Sequence, residues 1–144
     1  MIKVIFNQVV ACPFTSSRIQ KWLDRISKKE SKIEGEVEIS VVGDALIKTI
    51  NHKYRGKNKV TDVLSFAWHP ADAPLELWRG KMGEMYICYP QIKRQAKEYG
   101  VAEEQEFKRM LVHGLLHLVG YDHIKKKDAI KMFKQQEKLI LAIS

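Results

Sequence analysis

The stretch His113–His123, HGLLHLVGYDH, decides how this chain is read. It holds three of the five histidines. His113 and His117 are four apart, so on a helix they lie one turn apart on the same face. Leu111, Val112, Leu115, Leu116, Leu118 and Val119 surround the pair, which marks the helix as largely buried. Gly120 follows, the residue type that most easily takes the left-handed turn closing a helix. A chain turning there can bring His123 back toward the other two. Three converging neutral imidazoles make a metal site, and three protein ligands leave a fourth position for water or substrate. An i, i+4 pair alone is weak evidence, because such pairs arise by chance. The third histidine and the apolar setting, where bare imidazoles are poorly placed, carry the reading. It predicts one zinc per chain on His113, His117 and His123.

The spacing also matches H-E-x-x-H-x-x-G-x-x-H, the zinc protease pattern in which Glu is the general base. Gly114 stands where that Glu belongs. The metal site survives this comparison, whereas a peptidase lacks its usual base.

Outward from this block, helical and strand patterns interleave. Ile2–Phe6 reads as a strand. Thr15, Ser16 and Ser17 open a helix carrying Ile19, Trp22, Leu23 and Ile26. In the strand Glu36–Val41, Val37, Ile39 and Val41 point inward, and Glu36, Glu38 and Ser40 point outward. Asp44 is placed to cap a short helix with Leu46, Ile47 and Ile50. Asn51 to Lys59 is polar and basic, with a loop at Gly56, and Val60–Trp68 reads as a third strand. Pro70 and Pro74 mark an irregular excursion holding Leu75, Leu77 and Trp78. Gly83 opens a fourth strand, Glu84–Tyr89. Pro90 starts a helix that Gly100 ends. Glu103, Glu104 and Glu106 suit the N-terminal turn of the histidine helix. A last helix runs from about Lys127 to Ala142, with Ile130, Phe133 and Ile140 inward. The expected fold is α+β: one domain over residues 1–144, with about four strands in a mixed sheet packed with about five helices. The metal site sits on the histidine helix and the turn after it.

The 144 residues suit a single domain, and 45% hydrophobic with 29% charged residues is ordinary for a globular protein. The net charge is +8 and the pI about 9.5, which fits a polyanionic partner. Two isolated cysteines, Cys12 and Cys88, make no disulfide framework. MIKVIFNQVV lacks the pattern of a signal peptide, and no apolar run nears the ~20 residues that span a membrane. These features point to a cytoplasmic protein without a membrane partner. Nothing calls for a nucleotide cofactor.

A second constellation is NHKYRGKNKVTDVLSFAW, Asn51–Trp68. Lys53, Arg55, Lys57 and Lys59 alternate through a glycine-containing loop, with Tyr54 among them. Cations there can meet phosphates while the ring of Tyr54 stacks on a base. Arg55 is the candidate for chemistry, because a guanidinium grips a phosphate at two points. Taken singly, Lys57 and Lys59 suit a solvated loop better than an RNA contact. Thr61, Asp62 and Ser65 are polar residues in a strand pattern, expected to bond one another or the site loops. His52 and His69 read as bystanders. The lysines between Lys125 and Lys138 suit a solvated helix face.

Three blocks resemble one family. HGLLHLVGYDH resembles the signature of the YbeY family of bacterial metal-dependent endoribonucleases. YRGKNKVTDVLSF, Tyr54–Phe66, resembles its second signature, and Gly83-Glu84-Met85-Tyr86-Ile87 its third. The blocks fall in the family's order and the length matches the whole domain. Asn58 and Val60 stand where an acid and a proline are expected, and Glu84 where Asp is common. The resemblance implies a single-strand-specific endoribonuclease acting on rRNA precursors, at the small-subunit rRNA 3′ end, and in ribosome quality control. Its partners would be single-stranded RNA and the ribosome or small ribosomal subunit. It further implies zinc on His113, His117 and His123 and a functional Arg55. Two readings compete with it: a hydrolase of another class, chiefly a peptidase, and an RNA-binding factor whose metal is structural. For an endoribonuclease, either an activated water or the RNA 2′-OH could be the nucleophile.

Overall fold

The structure is a computed structural model describing residues 1–68 and 80–144. Its strands are β1 (Ile2–Gln8), β2 (Gly35–Val42), β3 (Val63–Ala67) and β4 (Lys81–Cys88). Its helices are α1 (Ser16–Lys29), α2 (Asp44–Arg55), α3 (Tyr89–Tyr99), α4 (Glu103–Leu118) and α5 (Lys126–Ala142). The sheet order is β1-β2-β4-β3. β1 and β4 run parallel to the central β2, and β3 runs antiparallel to β4, so the sheet is mixed as expected.

The two-residue alternation of the strands builds two unequal cores. Val37, Ile39, Val41, Met85 and Ile87 join residues of α1, α3, α4 and α5 in the main core. Val42, Leu64 and Cys88 turn the other way and meet Ile47 of α2 in a smaller cluster. Neighbours along β3 therefore serve different layers. Val63 packs on the main core, while Leu64 and Phe66 face the α2 side.

Several boundaries moved for identifiable reasons. Thr15 caps α1 as expected, its hydroxyl accepting the Arg18 N–H at 3.2 Å. Asp44 does not cap α2; Gly43 does. The Asp44 carboxylate instead accepts from Arg94 (2.7 and 3.1 Å) and from the Cys88 thiol (3.2 Å). α2 is longer than expected and runs through Arg55 to Gly56, whose φ of 70° closes it. β3 starts at Val63 rather than Val60, because Asp62 folds its carboxylate onto the Val63 N–H at 2.7 Å. Gly83 lies within β4 rather than opening it, and Tyr89 already belongs to α3. Ser40 is buried rather than outward, with Asn7 donating to its hydroxyl at 3.3 Å. Cys12 and Cys88 are both free thiols. His69, Pro70, Pro74, Leu75, Leu77 and Trp78 lie outside the described residues.

The last helix requires a correction that matters for the site. Ile130 and Phe133 face solvent, 61% and 49% exposed, and Ile140 is partly buried. The inward stripe is Met132, Gln136, Leu139 and Ile143. It has the same helical spacing but includes an amide.

Candidate metal centre

α4 begins with Glu103, Glu104 and Glu106, whose charges suit its positive end. Phe107, Leu111, Leu115 and Leu118 bury one side of it in the main core. His113 and His117 stand on the edge of that buried face, one turn apart. Beyond Leu118 the chain reverses. Gly120 takes φ 99°, and the Tyr121 N–H returns to the Leu116 carbonyl at 3.0 Å. Asp122 then accepts the N–H groups of His123 (2.7 Å) and Ile124 (3.3 Å) on one carboxylate oxygen. That carboxylate, held by these N–H groups, stays below its ordinary pKa. Tyr121 ties the turn to the end of α1, donating to Glu30 at 3.0 Å.

The turn delivers His123 to the other two rings. The three side chains each offer a ligand atom, all within 4.8 Å of one another, and could hold a metal ion. Ring centroids lie 4.7, 5.1 and 5.5 Å apart. The Nε2 atoms of His113 and His117 are 3.1 Å apart. Two donors on one tetrahedral ion at ~2.0–2.1 Å would sit about 3.3 Å apart, so the spacing suits a small cation. Burial pushes the pKa of His117 down to about 4, and the rings of His113 and His123 push the same way. His117 is therefore held neutral at physiological pH, the form that binds metal. His113 Nδ1 meets Oε1 of Gln136 at 2.9 Å. The chemistry of this donor set fits zinc.

The rings open into a cleft of about 720 Å³ that Arg55, Lys57 and Lys59 also line. Arg55 ends α2. Its Nη2 donates to the Ser65 carbonyl at 2.7 Å, and its guanidinium lies over the Phe66 ring at 4.8 Å. Asn51, 2% exposed, donates to the Lys59 carbonyl at 2.9 Å and so holds the following loop. Tyr54 is not brought into this cleft. It precedes Arg55 on α2, and neighbours on a helix point about 100° apart. It lines a separate groove with Phe66 and Trp68 and packs edge-on to Phe66 at 5.5 Å. The loop expected from Lys53 onward begins only after Arg55. His52 is exposed on α2.

Sequence reasoning saw Thr61, Asp62 and Ser65 as bonded polar residues, but not that all three line the cleft. Ser65 donates to the Gly114 carbonyl at 3.0 Å, which joins β3 to the histidine helix. It missed Gln136, for which the signal was an amide at helical spacing from Met132 and Leu139.

Gly114 explains why the protease base is missing. A Cβ there would sit 2.3 Å from Met85 Cε, 3.0 Å from Ser65 Oγ and 3.1 Å from Val63 Cγ2. α4 lies so close to β3 and β4 that a side chain at 114 fits only if Met85 swings aside and Ser65 and Val63 give way. A glutamate there would push its charge into the main core. The peptidase reading loses its base for a steric reason. The structural-metal reading fits poorly with a cluster that opens on a cleft, where the side chain of His123 is 46% exposed.

Comparison with known proteins gives concordant findings. The family model for Endoribonuclease YbeY matches residues 5–144. The chain is 46% identical over 120 residues to Endoribonuclease YbeY of Staphylococcus carnosus (strain TM300), covering 80% of this chain and 77% of that protein. The solution structure of TM1509 from Thermotoga maritima superposes with a TM-score of 0.66 at 27% identity, covering 99% of this chain and 89% of that one.

Proposed function

The chain belongs to the YbeY family of endoribonucleases, and on that premise we propose that residues 1–144 act as one domain that cleaves single-stranded RNA during rRNA maturation. The observation that carries the proposal is the shared cleft. Three imidazoles on and after α4 line it together with a guanidinium and two lysines at the end of α2 and in the loop after it.

His113, His117 and His123 are assigned to one zinc. An ion held there would supply Lewis-acid charge for phosphate chemistry and would lower the pKa of water to ~7. Arg55 is assigned to the scissile phosphate. With one Nη2 proton held by Ser65, its planar group is fixed and its remaining donors can grip two phosphate oxygens. That grip offsets the charge that grows as the phosphodiester is attacked. Lys57 and Lys59 are exposed and flank the cleft, where they can follow the neighbouring backbone phosphates. Tyr54 is kept as a stacking ring for RNA that extends over the adjacent groove.

A flexible strand can lay one phosphate in this cleft, whereas a duplex keeps its phosphates on a stiff convex surface. The substrates proposed are rRNA precursors, including the small-subunit rRNA 3′ end, and the ribosome or its small subunit is the partner. Ribosome quality control in the cytoplasm is the setting this implies. The net charge of +8 supports a polyanionic partner. Among the described residues, no helix is long and apolar enough to cross a membrane.

The test uses one labelled RNA, alone and annealed to its complement, with zinc-loaded and chelated protein and casein in parallel. Cleavage of the single strand by the loaded protein alone is expected. Equal cutting of both RNA forms would remove the single-strand claim. Metal-dependent casein cleavage without RNA cleavage would restore the peptidase reading. The end groups of the cut RNA identify the nucleophile, since a 2′-OH attack leaves a cyclic phosphate.

A further inference from the structure

Gln136 is 3% exposed in the middle of the inward stripe of α5. Its neighbours on that stripe, Met132, Leu139 and Ile143, are each 1% exposed or less. Wedged among them, its amide has little freedom to swing. It meets one titratable group from another helix: Oε1 lies 2.9 Å from Nδ1 of His113, 23 residues earlier.

From this contact we infer that Gln136 is a positioning residue for the metal centre: its carbonyl oxygen holds the proton of His113 on Nδ1 and so presents the bare Nε2 to the ion. An amide oxygen can only accept, so the ring nitrogen facing it must donate. A neutral imidazole has one N–H, and the other nitrogen then carries its lone pair outward. That other nitrogen is the one 3.1 Å from Nε2 of His117. The reverse amide orientation would put the proton on Nε2 and block the ligand atom. Burying an amide is costly unless it is bonded, and packing alone would be served equally well by Met or Leu. Partners of this kind fix ring orientation and raise ligand basicity, typically changing metal affinity ~10–100-fold. α5 thereby belongs to the site, although it supplies no ligand.

The inference rests on the zinc reading above, and the test separates the two. Zinc dissociation constants are measured by competition with a chromophoric chelator for wild type, Gln136→Met and Gln136→Glu. Melting temperatures of the metal-free proteins are recorded alongside. Gln136→Met should bind zinc ~10–100-fold more weakly while its metal-free form melts no lower than wild type. Gln136→Glu keeps an acceptor and should bind as tightly as wild type or tighter. Equal affinity in wild type and Gln136→Met overturns the inference, as does a glutamate variant as weak as the methionine one. Should Gln136→Met fail to fold, imidazole nitrogen NMR of the metal-free wild type decides. A proton on Nδ1 of His113 supports the inference and a proton on Nε2 overturns it. If wild type itself binds no zinc, the metal centre falls first, and the Gln136 assignment with it.

Discussion

On the α4 wall of the cleft, His113 and His117 project from a helix packed into the main core, and Gln136 braces one of them from behind. On the α2 wall, Arg55 ends the helix and Lys57 and Lys59 follow it, all three exposed, and Gly56 turns the chain between them. His113 and His117 are half-buried before anything binds, and His113 is held by Gln136. Arg55 is held through one Nη2 and a ring face, and the side chains of the two lysines are exposed to solvent although Asn51 pins the loop backbone. A small ion needs donors at set distances, and side chains ordered in advance spare the entropy of fixing them on binding. An RNA strand brings many charges and its own flexibility, so mobile cations suit it. Loss on the first wall should therefore be all-or-none, and loss on the second graded and salt-sensitive.

The largest effect is expected from His117→Ala. Metal content by elemental analysis should fall from about one zinc per chain to near none. RNA cleavage should drop by about 10³-fold or more, the several kcal/mol that a metal charge contributes. Unchanged metal content in this variant would break the contrast at its strong end. Arg55→Ala comes next, with cleavage down about 10²–10³-fold and zinc retained. Arg55→Lys should recover little of this, since it keeps the charge without the fork. A lysine variant as active as wild type would move Arg55 into the same class as Lys57 and Lys59.

The third expectation concerns acid and the metal-free protein. His117 has its folded pKa lowered to about 4, below the ordinary value of 6.5. Between these values the unfolded chain binds the proton and the folded one does not, so stability rises with pH there. Lowering the pH from 6.5 toward 4 should cost chelated wild type on the order of 1–2 kcal/mol, a discounted figure because the ring borders solvent. His117→Gln should flatten that dependence in thermal melts recorded across the range. A variant that keeps the wild-type slope would show that the rigid wall owes little to a neutral His117. The smallest effect is expected from Lys59→Ala, a few-fold loss of single-stranded RNA binding. The slope of log affinity against log salt should lessen by about 0.7 if one phosphate contact is removed. A loss as large as that of Arg55→Ala would make Lys59 a fixed contact and erase the gradation on this wall.

The same contrast governs what the sequence made legible. The histidine spacing, Gly120 and the apolar run around His113 are local and periodic, and the ligand cluster follows from them. The strands with clean alternation were found for the same reason. What failed depended on partners distant in sequence. Asp44 looks like a helix cap until Arg94, fifty residues later, draws its carboxylate away. On α5 two stripes of helical spacing each carry apolar residues, and the one with Ile130 and Phe133 is mostly exposed. The buried stripe breaks the apolar pattern with Gln136 at the point where it serves His113. Functional positions are where such rules break, so the amide was the informative residue. Tyr54 was misplaced because reading Lys53–Arg55 as loop hid the angular offset between helical neighbours.

The tight approach at Gly114 also limits what this scaffold can become. A glycine codon can reach a glutamate codon by one base change, so a zinc protease motif lies one mutational step from HGLLH on paper. In the molecule that step meets Met85, Ser65 and Val63 from three sides, within 3.1 Å of the first added carbon. Reaching it would displace Met85 and crowd Ser65, whose bond to the Gly114 carbonyl joins β3 to α4. Neighbouring points in sequence space are thus far apart in structure. Drift at this position is resisted by the neighbouring strands, independently of any selection on the metal.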